Sequence, residues 1–184
     1  GNPVGGVKGK KTVDEDDDLF LNANLNKRLW WYAVTKMADE VVMGAFFAEN
    51  KIKGLIVRPF NVVSPIQRGD VGFVIPRFIQ AAKENNPLLV YGDGSQKRTF
   101  TWVYDFVDSL VSLVDKEISN TTVNIGSTHE TSILDLANLV IEKTASSSPV
   151  NMVDPSYLYD NQFVEIQERV PSTARLKELI GVDS

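Results

Sequence analysis

The sequence predicts an α/β fold, and three observations carry that prediction. Residues 29–50 repeat apolar side chains at helical spacing. Residues 54–63 then form a continuous apolar run, the pattern of a strand covered on both faces of a parallel sheet. Beyond them, short apolar runs alternate with amphipathic helical patterns almost to the end of the chain. At 184 residues the chain is long enough for one domain with a real core, or for a large piece of a two-domain protein.

Taken in order, residues 1–26 read as loop, because GNPVGGVKG has too much glycine and too few apolar side chains for an element. The acidic run 14–18 reads as a solvated stretch ahead of a helix, with a cation site as its rival. In that helix Leu29, Ala33, Met37, Val41, Ala45 and Ala48 make one stripe. Trp30, Val34, Ala38, Val42 and Phe46 make a second, so the helix is expected to be buried on more than one side or to meet a partner. The strand at 54–63 carries Pro59 near its end, where a missing ladder donor is tolerable.

A helix is expected over 72–83 and a short strand over 88–91. A hairpin turn at Gly92, Asp93, Gly94 and Ser95 then leads into a second strand at 98–103. A helix at 105–114 and a strand at 122–125 follow. Ser132 and Asp135 form a capping-box candidate opening a helix through Ile141. The last helix is expected at 173–180, with Ser172 as N-cap and Gly181 ending it. There is no internal repeat and no low-complexity segment.

Composition narrows the chemistry. Hydrophobic residues are 43% and charged residues 23%, ordinary for a soluble globular protein. A net charge of −5 leaves no basic surplus to neutralise phosphates, which argues against nucleic acid as the main partner. No apolar run is long enough to cross a bilayer. The absence of cysteine removes disulfides and thiolate metal sites and fits a reducing cytoplasm. One histidine, His129, leaves no His cluster for zinc, so no metal is expected; its polar Ser-Thr-His-Glu-Thr surroundings argue against catalysis.

The most informative pair is Tyr32 and Lys36. On a helix, i, i+4 spacing puts both side chains on one face. A nearby ammonium favours phenolate over phenol, which suits a tyrosine that shuttles a proton near neutral pH. The rival is an exposed lysine beside a packing tyrosine.

Six segments in order raise the first reading. YAVTK at 32–36, RPFNVVSP at 58–65, VIPRF at 74–78, VYGDGSQKRTF at 90–100 with Asp105 after it, NIG at 124–126 and RVP at 169–171 follow one another along the chain. Together they resemble the C-terminal portion of an extended short-chain dehydrogenase/reductase of the NAD-dependent nucleotide-sugar epimerase/dehydratase type. That group includes UDP-glucose 4-epimerases, dTDP-glucose dehydratases and UDP-glucuronate decarboxylases.

The resemblance implies part of a Rossmann-type doubly wound fold plus the small substrate-binding α/β domain. Residues 1–65 would be a remnant of the dinucleotide-binding domain. Residues 66–184 would be mainly the substrate domain, with some segments returning to the Rossmann sheet. It makes Tyr32 the general acid/base and Lys36 the residue that holds the nicotinamide ribose of NAD and depresses the tyrosine pKa. Pro59 would lie against the nicotinamide through its backbone. Asn61 would reach the substrate diphosphate, with Arg98 and Arg169 clamping it, a task suited to planar guanidinium groups. Val74, Ile75, Val90 and Tyr91 would line the base and ribose. Arg58 reads as structural.

The pattern also breaks. The glycine-rich Gly-x-x-Gly-x-x-Gly turn that cradles a dinucleotide pyrophosphate does not occur in the 184 residues. The chain opens at a position resembling the one just after the family's Ser/Thr strand, as an excised piece or a split gene would. Val63, Ser64 and Ser172 stand where the family prefers tyrosine, glycine and aspartate, which bears on the particular substrate. The expectation is therefore a fragment of a cytoplasmic, NAD-dependent UDP-sugar 4-epimerase, inactive alone and dimeric through the Tyr32–Lys36 helix. The alternatives are a non-catalytic nucleotide-sugar binding module, a UDP-glucuronate decarboxylase or a dTDP-sugar dehydratase.

Overall fold

The computed structural model describes residues 12–17, 28–69, 73–154 and 170–181. The elements run β1 (Thr12–Val13), α1 (Arg28–Asn50), β2 (Leu55–Pro59), β3 (Val62–Val63), α2 (Val74–Lys83), β4 (Leu88–Tyr91), β5 (Lys97–Thr99) and β6 (Thr101–Trp102). They continue with α3 (Val103–Asp115), β7 (Thr121–Ile125), β8 (Glu130–Ser132), α4 (Ile133–Thr144), β9 (Val150–Val153), β10 (Val170–Pro171) and α5 (Ala174–Ile180).

The apolar runs of β2 and β7 pair in parallel, from Leu55 opposite Thr121 to Pro59 opposite Ile125. Parallel neighbours need a long crossover, so residues far apart in sequence supply the cover. Leu113 of α3, Val123 and Ile125 of β7, and Leu176 and Ile180 of α5 form one buried cluster, with Leu55, Val57, Phe106 and Leu110 packed against it. A second cluster joins Phe78 and Ala82 of α2, Leu88 and Val90 of β4, and Ile133, Leu136, Ala137 and Val140 of α4. Here β4 pairs in parallel with β9. Fully burying one such Leu or Phe contributes about 1.5–3 kcal/mol, so each cluster is a core in its own right.

Between the clusters, β3 runs parallel to β6 and β5 antiparallel to β8. β1 runs parallel to β10. Among the described residues, no helix is long and apolar enough to cross a membrane.

Five local expectations are corrected. Thr12–Val13 is a strand rather than loop: its partners are β10 and the buried Asn124, whose Nδ2 donates to the Val13 carbonyl at 2.9 Å. Those partners lie more than a hundred residues away in sequence, out of reach of a local pattern. The run at 54–63 breaks into β2 and β3, where Asn61 adopts a left-handed φ of +40°. The turn at 92–95 is present but closes no hairpin, because β4 pairs with β9 and β5 with β8. The strand expected at 98–103 is two short pieces, β5 and β6, and α3 begins at Val103. The N-cap of α5 is Thr173 rather than Ser172, whose backbone N–H is already donated to the Val13 carbonyl at 2.9 Å.

α1 sits apart from both clusters. Ala33 is buried and Met37 and Phe47 are half-buried, while Trp31, Val34, Val41, Val42, Met43 and Phe46 are exposed. One of the two apolar stripes therefore has no cover among the described residues.

Candidate active site

α1 and β2 are locked by a buried ion pair. Arg58 Nε donates to Glu40 Oε1 at 2.9 Å and Nη2 to Glu40 Oε2 at 2.7 Å, while Nη1 donates to the Glu15 carbonyl at 3.1 Å. Arg58 is 5% exposed, so removing one partner would strand the other charge in the interior. The fork also fixes the rotation of α1, and with it the face that carries Tyr32 and Lys36. The structural role expected for Arg58 is the one it has.

Tyr32 is half-exposed, and Lys36 Nζ stands 5.9 Å from its ring centroid. The ammonium donates to Asp39 Oδ2 at 2.8 Å. That hydrogen bond, then the Asp39 charge and to a lesser degree Tyr32, raise the Lys36 pKa above its ordinary value. An ammonium has three donors, and Asp39 engages one of them. Asp39 is not among the residues expected from the sequence, where its i+3 spacing from Lys36 is the one available signal.

The carboxyl ends of β2 and β7 lie side by side, Pro59 opposite Ile125, and ligands of open α/β sheets bind at such ends. Pro59 is half-buried on the last rung of this pair. Phe60 N donates to the Ile125 carbonyl at 3.0 Å. Thr101 Oγ1 donates to the Phe60 carbonyl at 2.7 Å and accepts the Ser127 N–H at 2.9 Å, tying β6 to both ends. Gly126 is required here: a Cβ would lie 2.6 Å from Phe60 Cβ and 3.0 Å from Pro171 Cγ. Thr101 carried no sequence signal, since its role depends on three separate segments.

Asn61 Nδ2 donates to the Thr99 carbonyl at 2.7 Å, and its own carbonyl accepts the Thr101 N–H at 3.2 Å. Its side chain thus fastens β3 to β5. Arg98 is half-buried, with Nη1 on the Lys97 carbonyl at 2.7 Å. Val74 and Ile75 pack against the α2–β4–α4 cluster and Val90 is fully buried within it. Tyr91, half-buried at the end of β4, carries the guanidinium of Arg77 4.9 Å from its ring centroid. Arg169 lies outside the described residues. His129 is exposed, and its backbone N–H donates to Ser127 Oγ at 3.1 Å. No group of metal-ligating side chains occurs among the described residues.

The structure thus brings Tyr32 and Lys36 together on α1, and Asn61 beside β5. Val74, Ile75, Val90 and Tyr91 gather around α2 and β4. A cavity of about 580 Å³ lies at the opposite end of the β2–β7 pair, lined by Gly44, Phe47, Lys51, Ile56 and Thr121 among others. None of the expected site residues lines it. The Tyr32 face carries the tyrosine–lysine pair, and the cavity does not.

The chain is similar to known proteins. The chain is 38% identical over 173 residues to the UDP-N-acetyl-alpha-D-glucosaminuronate decarboxylase of Bacillus cytotoxicus, covering 94% of this chain and 53% of that protein. It is 31% identical over 150 residues to UDP-glucuronic acid decarboxylase 1 of Danio rerio, covering 82% and 34%. It superposes with a TM-score of 0.78 and 26% identity on the UDP-glucuronic acid 4-epimerase of Bacillus cereus, solved with UDP-glucuronic acid and NAD. That likeness covers 98% of this chain and 55% of the other. The chain spans about half the length of the first of these relatives. Residues 6–126 match the model of the NAD-dependent epimerase/dehydratase family, and the chain belongs to that family.

Proposed function

We propose that these residues form the substrate half, with the acid/base pair, of an NAD-dependent UDP-sugar 4-epimerase, and that they are inactive by themselves. The observation that carries this reading is the Tyr32–Lys36 pair on one face of α1, held in register by Arg58 and Glu40. Residues 1–65 would belong with the dinucleotide-binding domain and 66–184 mainly with the substrate domain.

The residues fit one end of the cofactor. A half-exposed tyrosine, a charged lysine within its reach and the backbone of Pro59 suit a nicotinamide ribose. No sequence here supplies the pyrophosphate cradle. When bound, NAD supplies the hydride acceptor. The Lys36 ammonium stabilises the Tyr32 phenolate, which takes the proton of the sugar hydroxyl and becomes the neutral phenol. Asn61, Arg98 and Arg169 hold the diphosphate, while Val74, Ile75 and Tyr91 line the nucleoside; Val90, expected among them from the sequence, is fully buried in the core behind them. α1 supplies a homodimer contact through its uncovered stripe.

A UDP-uronate decarboxylase is the second reading, favoured by the 38% identical relative. A binding module that keeps the Asn61, Arg98 and Arg169 clamp without redox chemistry is the third. The test is to incubate the protein, alone and with a separately expressed dinucleotide-binding half, with NAD and UDP-glucuronate, following products by NMR. A 4-epimer supports the first reading, and carbon dioxide with a UDP-pentose the second. UDP binding with no turnover in either mixture supports the third. Where turnover occurs, Tyr32→Phe should lower kcat by about 10²–10⁴-fold; an unchanged kcat would remove Tyr32 from the mechanism.

A further inference from the structure

Arg77 has no part in the chemistry above, yet its guanidinium is held at several points on β4. Nη1 donates to the Tyr91 hydroxyl at 3.2 Å, and Nη2 makes a long contact of 3.5 Å with the Leu89 carbonyl. Cζ stands 4.9 Å from the Tyr91 ring centroid and 5.6 Å from that of Phe78. Nε is buried with no hydrogen-bond partner. The guanidinium is held instead by the Tyr91 hydroxyl and ring face, with the Leu89 carbonyl as a long third contact.

The backbone of Tyr91 is fixed as firmly. Gln96 Nε2 donates to its carbonyl at 2.9 Å. The turn that follows is closed by Asp93 Oδ1, which accepts from Ser95 Oγ at 2.6 Å and from the Ser95 N–H at 2.9 Å. Gly92 and Gly94 take the left-handed φ values of +68° and +73° that this turn needs. The ring is thus immobilised from both its ends while remaining half-exposed.

We propose that Arg77 is a positioning residue for a pyrimidine base: it presets the Tyr91 ring as a stacking platform. The inference rests on the nucleotide-lining role given to Tyr91 above and adds how that role is achieved. A tyrosine left free to rotate must be ordered when the base arrives, and a ring already held avoids that cost.

Calorimetry of UDP and of inorganic pyrophosphate on the purified protein tests it. Arg77→Met keeps the length of the side chain and removes the fork. It should raise the Kd for UDP about two- to tenfold, the span expected for one newly mobile side chain, and leave the Kd for pyrophosphate unchanged. In a Tyr91→Ala background the same change should have no further effect, because the two act as a unit. Tyr91→Phe keeps the ring and loses only the hydroxyl contact to Arg77, so it should raise the Kd for UDP and leave that for pyrophosphate unchanged; if Arg77→Met unfolds, unchanged UDP binding by Tyr91→Phe would overturn the proposal.

Equal UDP binding by Arg77→Met and wild type would overturn the proposal. So would an equal loss for pyrophosphate, which would make Arg77 a phosphate ligand, or a loss that simply adds to that of Tyr91→Ala. Failure of the wild-type protein itself to bind UDP would overturn the nucleotide reading, and this inference with it.

Discussion

α1 and α4 solve opposite problems. α4 has 12 residues, four of them buried, and closes the α2–β4 core. It is also capped at both ends. Ser132 Oγ accepts the Asp135 N–H at 3.0 Å, Asp135 sits in the first turn, Lys143 in the last, and Ala145 closes the helix in a left-handed conformation. α1 has 23 residues, no acidic side chain in its first turn and no basic one in its last. Its hold on the fold is concentrated in the Glu40–Arg58 fork, and most of its large apolar side chains stay in solvent. A helix stabilised by distributed packing tolerates no loss in its core. A helix with few buried contacts among its described residues, the fork and Ala33 foremost, leaves the rest of its surface for another use.

The sharpest way to break this comparison is at the fork. Arg58→Ala leaves Glu40 without its partner and should destabilise the protein by about 3–5 kcal/mol, read from urea denaturation. A loss below about 1 kcal/mol would mean that solvent reaches Glu40 and that α1 is held otherwise.

Next come paired core and surface truncations. Leu136→Ala in α4 should cost about 2–5 kcal/mol. Val42→Ala, at a 63% exposed position of α1, should stay within about 0.5 kcal/mol for the monomer. If α1 meets a second copy through this stripe, Val42→Glu should shift the oligomer toward monomer in analytical ultracentrifugation. An unchanged sedimentation coefficient would dismiss the stripe as a dimer contact.

Ser132→Ala removes the cap of α4 and should cost about 1 kcal/mol.

The smallest effect is the pH dependence of the Lys36–Asp39 pair on the exposed part of α1. Asp39 raises the Lys36 pKa, so the contribution is complete below the ordinary lysine value of about 10.4 and disappears as pH rises through the raised value. Urea midpoints of wild type and Asp39→Asn should therefore differ slightly at pH 8 and converge at strongly alkaline pH. A gap that widens with rising pH would mean the linkage has the wrong sign.

The helices were legible in the sequence because their signals are local. Residues 29–50, 72–83 and 105–114 carry apolar spacing that lies within two residues of the observed ends of α1, α2 and α3. Ser132 marks the start of α4 by the chemistry of its own side chain. The long strands β2, β4 and β7 were legible for the same reason, being apolar and bounded by turn residues. Family membership was legible because six ordered motifs survive in the linear text.

What only the tertiary structure decided is pairing. β1 exists because β10 and Asn124 meet it, and the turn after Tyr91 closes no hairpin because β9 pairs with β4 in parallel. Thr101 joins β6 to the ends of β2 and β7, and Arg77 sets Tyr91 across a helix–strand joint. Periodicity reports which face of an element is apolar, but a hydrogen bond between residues a hundred positions apart leaves no trace in either local pattern. Such contacts depend on the tertiary packing that sets distant segments side by side.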